Sequence, residues 1–151
     1  MCRRYARRYC SEVELAAAFD RLTRRAVALE LPVLAAHDLT MWEYVVLSGL
    51  VDGPAQTQAR LAEAVGRDKT RLIPILDALE ARGLVTRAPD PADRRNKTVA
   101  LTAPGRALRT AVAGAISVAE EELLRPLDAG ERRAFRELLG RLHAESRPTI
   151  T

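Results

Sequence analysis

Four residues within five positions, Arg67, Lys69, Thr70 and Arg71, combine three cations with a hydroxyl. A second run, Asp93-Arg94-Arg95 with Lys97, is again basic. Both suit an anionic partner: ammonium and guanidinium groups bond phosphate oxygens, and a planar guanidinium can meet a guanine edge with two parallel hydrogen bonds. Thr57 and Gln58 add uncharged groups upstream, as candidate phosphate contacts. The bland alternative for each basic residue is a solvated surface charge. Catalytic chemistry has no comparable concentration. His37 and His143 stand far apart, without a Cys or carboxylate cluster at ligand spacing, and there is no Gly-rich phosphate loop. No catalytic residue, metal or cofactor is therefore expected, and the chain reads as a non-enzyme.

The charge distribution supports the same reading. The 151 residues carry 24 Lys+Arg against 20 Asp+Glu, a net +4. Stretch by stretch the net charge is +4 over 1–25, −4 over 26–55, +5 over 56–109 and −1 over 110–151. Positive charge thus collects in an N-terminal arm and in the middle of the chain, the pattern of a protein that meets nucleic acid. The length suits one domain with a real core. No apolar run is long enough to cross a membrane, and the basic start at 1–10 lacks the apolar stretch of a secretory signal. Two cysteines, Cys2 and Cys10, exclude a disulfide framework. A cytoplasmic address is expected.

Punctuation divides the chain into elements that would position these residues. Ser11-Glu12-Val13-Glu14 and Thr40-Met41-Trp42-Glu43 are capping boxes, and Asp128-Ala129-Gly130-Glu131 is a third reciprocal cap. The first helix carries Leu15, Phe19, Leu22, Ala26 and Leu29 as an apolar stripe, with Pro32 marking its end. The second runs to about Leu50 before Asp52-Gly53-Pro54. Two shorter helices follow, one capped by Thr57 and stopping at Gly66, the other capped by Asp68 and ending at Gly83, with a kink or loosened turn expected at Pro74. Alternating residues at 84–87 and 97–102 around a Pro- and Asp-rich turn read as a β-hairpin with a basic tip. A long helix from about Ala103 and a last helix with Phe135, Leu138, Leu139 and Leu142 facing inward complete the chain. Helix-turn-helix followed by a hairpin is a winged helix.

The runs at 62–73 (AEAVGRDKTRLI), 76–85 (LDALEARGLV), 90–95 (DPADRR) and 101–106 (LTAPGR), preceded by Leu39-Thr40 and an apolar helix, resemble the MarR family of bacterial regulators in order and spacing. The resemblance covers about residues 12–145. It implies a mainly α fold with a small β-hairpin wing (α+β), in a winged helix-turn-helix regulator that binds double-stranded operator DNA as a homodimer. Residues 1–151 would form a single domain: 1–11 a basic arm, 12–36 and 103–145 dimerisation helices, 40–102 the DNA-binding lobe. The helix from Lys69 becomes the recognition helix. By resemblance, Arg95 enters the minor groove with Asp93 steadying its guanidinium, while Arg94 and Lys97 contact phosphates.

Members of the family commonly respond to small aromatic or lipophilic molecules held between the dimer helices and the DNA-binding lobe. By that analogy Trp42, Val45 and Val46 form one wall of an effector pocket, and Arg24 and His37 hold a carboxylate; the alternative for Trp42 is plain core packing. Others sense oxidants through a cysteine in the first helix. Cys10, flanked by Arg7, Arg8 and Tyr9, lies just before that helix and is the candidate thiol. The leading expectation is a ligand-responsive repressor on a pseudo-palindromic operator with half-sites about one helical turn apart. The alternatives are an architectural DNA-binding protein with little sequence preference, a thiol-based regulator, and an interaction module that no longer binds DNA.

Overall fold

The computed structural model describes residues 14–50, 55–93 and 95–145. They form α1 (Leu15–Ala36), α2 (Met41–Gly49), β1 (Gln56–Thr57), α3 (Gln58–Ala64), α4 (Lys69–Ala81), β2 (Val85–Pro89), β3 (Lys97–Leu101), α5 (Ala103–Leu124) and α6 (Ala129–Glu145). Local chemistry sets most of the helix starts. Thr40 Oγ1 accepts from the Glu43 N–H at 3.2 Å while the Glu43 carboxylate accepts from the Thr40 N–H at 2.7 Å. Asp128 and Glu131 repeat this reciprocal cap, both bonds at 2.9 Å. Thr57, Asp68 and Thr102 each cap their helix through one side-chain bond. At α1, Glu14 occupies the N-cap without a side-chain bond, and the box expected at Ser11 lies outside the described residues.

Three helix ends share one closing motif. After α1, α3 and α4 a residue with positive φ (Asp38, Gly66, Gly83) reverses the chain, and the next residue bonds back five positions. Those bonds are Leu39 N–H to Leu34 O, Arg67 N–H to Ala62 O and Leu84 N–H to Leu79 O, all at 2.9 Å. This is the Schellman arrangement, whose final position ordinarily packs an apolar side chain. It also corrects the expected end of the first helix. α1 continues through Pro32 to Ala36, because burial of Leu34 and this closing turn hold the last turn despite the missing N–H. The helix α4 runs unbroken across Pro74, with Leu72, Leu76 and Leu79, all fully buried, seating it on both sides.

The sheet has a strand that the sequence pattern did not suggest. β3 pairs antiparallel with β2, Val85 opposite Leu101 through Pro89 opposite Lys97, and on its other side with β1, Gln56 opposite Val99 and Thr57 opposite Thr98. The hairpin is therefore bonded to the segment that leads into α3. Leu34, Val46, Leu47, Leu61, Leu72, Leu76, Leu79, Val85, Val99 and Val112 are fully buried at the centre of one core that joins the helices to this sheet. Gly105, in the first turn of α5, lies against the chain just before β2: a Cβ there would fall 2.0 Å from the Leu84 carbonyl oxygen.

The terminal helices differ from the inward packing expected of them. Leu138, Leu139 and Leu142 on α6 are exposed, as are Leu15, Phe19 and Leu22 on α1. Among the described residues these stripes face outward, since no further layer of them covers either helix.

Candidate nucleic-acid interface

Gly66 gives the turn between α3 and α4 its left-handed conformation, and Asp68 then starts α4 by accepting from the Arg71 N–H at 2.9 Å. The side chains of Lys69, Thr70 and Arg71 are exposed on the first turn. The Arg71 Nε lies 3.4 Å from the Asp68 carboxylate, but Arg71 is 71% exposed. Such a pair contributes little to stability and leaves Arg71 able to engage another anion.

The structure revises three residues expected at this surface. Gln58 is buried, because the first turn of α3 tucks beneath the sheet, so it does not present a phosphate contact. Thr57 is partly buried, paired with Thr98 and occupied in capping α3. Arg67 is no free surface cation: its guanidinium lies over the Trp42 ring, 3.4 Å from the centroid.

The wing tip is ordered by short local bonds. Asp90 Oδ1 accepts from the Ala92 N–H and Asp93 Oδ1 from the Arg95 N–H, while Asp93 Oδ2 accepts from the Asn96 amide at 3.1 Å. Asp93 therefore steadies the backbone of Arg95 and not its guanidinium, a correction to the role the resemblance implied. A carboxylate two residues before an N–H closes an Asx turn. Arg95 and Lys97 are exposed; Arg94 lies outside the described residues.

One residue missed in the sequence joins wing to helix. Arg87 on β2 reaches Asp77 (2.6 Å) and Glu80 on α4, and its own N–H donates to Glu80 at 3.2 Å. Its side chain is only 15% exposed. The available signal was the three-residue spacing of Asp77 and Glu80, which sets two carboxylates on one helix face. Arg82, also missed, donates to the Asp38 carbonyl at 2.8 Å and lies 3.5 Å from Glu43, tying the far end of α4 to the α1–α2 turn.

The geometry is thus an exposed basic helix start and an exposed basic wing, joined by the partly buried Arg87. Comparison with known proteins agrees. The sequence model of the MarR family matches residues 39–97. The transcriptional regulator HosA of Escherichia coli O111:H- is 36% identical over 105 residues, which are 70% of this chain and 78% of HosA. The chain belongs to the MarR family.

It is a MarR-family transcriptional regulator with the winged helix fold of that family. Among solved structures, the repressor CouR bound to a 23-mer DNA duplex is 30% identical with a TM-score of 0.74, covering 89% of this chain and 94% of CouR. CouR from Rhodococcus jostii RHA1 bound to p-coumaroyl-CoA matches at 25% identity and the same TM-score, covering 91% and 95%.

The residues expected around an effector are not gathered in one place. Val46 is fully buried in the core, where α2 packs on its neighbours. Val45 is partly buried and Trp42 is 39% exposed beneath Arg67. His37 Nδ1 is 2.9 Å from the Val33 carbonyl. Arg24 pairs with Asp20 on the solvent side of α1, about 20 Å along the helix axis from His37. Cys10 and the arm at 1–11 lie outside the described residues.

The Arg87 bridge carries a pH signature. The Arg87 hydrogen bond holds the Glu80 carboxyl below the usual carboxylate range. A lowered folded-state pKa means that this stabilisation is present above the ordinary carboxylate pKa and is lost as pH falls through the lowered value. Glu30 on α1 shifts oppositely, raised by burial and by Glu120, and so favours the fold on acidification. Glu80→Gln isolates the bridge: it is expected to lower Tm by about 2 °C at pH 7. The difference from the parent should vanish at pH low enough to protonate Glu80. An equal difference at both pH values would rule the bridge out as its source.

Proposed function

We propose that this MarR-family regulator acts in the cytoplasm as a ligand-responsive repressor, binding a pseudo-palindromic operator as a homodimer. The observation that carries the reading is the pairing of two exposed basic elements: Lys69, Thr70 and Arg71 on the first turn of α4, and Arg95 and Lys97 on the wing. The α4 turn fits the major groove, where Arg71 meets base edges and the helix start favours phosphate. The wing reaches the flanking minor groove, whose narrow A·T tracts concentrate negative potential on an inserted guanidinium. CouR, which shares this fold, is seen on a DNA duplex.

The exposed leucines on α1 and α6 support the homodimer, since a second subunit would remove both apolar stripes from water. Leu138→Asp with Leu139→Asp is expected to give a folded monomer by analytical ultracentrifugation. It should weaken operator binding at least tenfold through loss of the second half-site. A dimer of unchanged affinity would place the interface elsewhere. Effector binding follows the ligand-bound relative CouR in outline, with Trp42 and Val45 as the retained candidate contacts.

The deciding experiment is fluorescence anisotropy at one physiological salt, with DNA flanking the protein's own gene against a scrambled duplex of equal length. Specific recognition predicts a gap of about a thousandfold or more. Equal, strongly salt-dependent binding to both would favour the architectural reading. No binding even at low salt would overturn both.

A further inference from the structure

We propose that Trp42 is a positioning residue for DNA contact, its indole face holding the Arg67 guanidinium ready for a backbone phosphate at the front of α4. The inference rests on the DNA-binding reading above and deepens it.

Arg67 occupies the final position of the Schellman turn after α3. In the two sister turns that position is Leu39 and Leu84, both buried. An apolar side chain satisfies such a turn completely. Arginine leaves a charge where leucine would leave none, and its Nε is buried without a hydrogen-bond acceptor among the described residues. Arg71, Arg82, Arg87 and Arg132 each have a carboxylate within 4 Å, whereas among the described residues Arg67 has no ion pair. Its one polar-directed contact is the Trp42 ring, 3.4 Å away. Arg67 also sits beside Lys69, Arg71 and the positive end of α4, neighbours that repel a cation. A buried donor and an uncompensated charge are stabilised together when an anion arrives.

The backbone of Trp42 lies within the Thr40–Glu43 capping box, and Glu43, which bonds back to Thr40, lies near Arg82 at the far end of α4. The start of α2 thus touches both ends of the recognition helix. A rigid aromatic platform removes the rotamer freedom that a long side chain would otherwise lose on binding, and a stacked guanidinium keeps its outer N–H groups for phosphate.

The test uses a duplex that the full-length protein selects from a random-sequence pool, titrated over a KCl series. Arg67→Ala is expected to weaken binding about tenfold and to reduce the slope of log affinity against log salt by about one, the loss of one phosphate contact. Arg67→Lys keeps the slope, since the cation remains, but loses affinity because an ammonium cannot stack as a guanidinium does. Trp42→Leu weakens binding about fivefold, and the double variant is no weaker than Arg67→Ala alone, as coupled positions require. Trp42 is the only tryptophan in the chain, so the Arg67→Ala protein should also show altered tryptophan emission without DNA. An unchanged salt slope in Arg67→Ala, or fully additive losses, overturns the proposal. If Trp42→Leu does not fold, the Arg67 slope and emission decide alone. Failure of the parent protein to select any duplex overturns the DNA-binding reading itself, a result distinct from selection with an unchanged Arg67 slope.

Discussion

Gly105→Ala is expected to cost the fold about 3 kcal/mol or more and to lower Tm by roughly 6–12 °C in a chain of this size. The added Cβ would lie 2.0 Å from the Leu84 carbonyl oxygen and 2.9 Å from its carbon. Neither atom belongs to a flexible side chain that can swing away. The same carbonyl accepts from the Thr102 N–H and hydroxyl, both at 3.1 Å, so moving it also strains the cap of α5. The junction holds three elements at once: the end of α4, the start of β2 and the first turn of α5. Gly114, on the same helix with open space where a Cβ would go, supplies the control. Gly114→Ala should be neutral or stabilising by about 0.5–1 kcal/mol, from helix propensity alone. Calorimetry on both variants checks the pair. A Gly105→Ala Tm within 2 °C of the parent would show that the backbone relaxes more freely than its bonds imply.

Arg95→Ala should leave Tm unchanged yet weaken operator binding by about 10- to 100-fold, the usual 1–3 kcal/mol for a groove-inserted arginine. The side chain is exposed and has no ion pair among the described residues, so the fold does not depend on it. Its backbone is another matter, since Asp93 accepts the Arg95 N–H at 3.0 Å and the Asn96 amide at 3.1 Å. Asp93→Ala should therefore also weaken binding, by releasing the tip, without removing any charge that touches DNA. Arg95→Lys should recover only part of the loss, because an ammonium is held more tightly by water than a guanidinium. Anisotropy at fixed salt on operators with altered flanking A·T content is the measurement. A Kd equal to that of the parent protein would remove Arg95 from the interface.

What could be read from the sequence follows the range of the interactions. The caps at Thr40, Thr57, Asp68 and Asp128 involve groups three residues apart, so residue type and spacing announce them. Gly66 and Gly83 were legible for a similar reason, since positive φ at a helix end selects glycine. Asp38, in the same role, was not, because aspartate has other duties on a surface. β1 could not be seen: Gln56 and Thr57 become a strand only by pairing with Val99 and Thr98, about forty residues away. Gln58 looked like a phosphate ligand because a polar residue at a helix start usually faces water, and only packing reveals that this one does not. Arg67 and Arg87 were equally opaque. Both are basic residues in a basic stretch, and the sequence cannot say that one finds an aromatic ring and the other two carboxylates.

The bond between Arg87 N–H and Glu80 matters in one more way. β2 forms an outer border of the sheet, and an exposed border invites a strand from another molecule to add. Along β2 the backbone N positions of Val85, Arg87 and Pro89 fall on the side away from β3, by the alternation of an antiparallel ladder. The Arg87 donor is already taken by Glu80, and Pro89 has none. That leaves at most the N–H of Val85, a residue only 1% exposed, for a foreign strand to register against. The same contact that braces the wing thus also removes a backbone donor on which a strand from another molecule could pair.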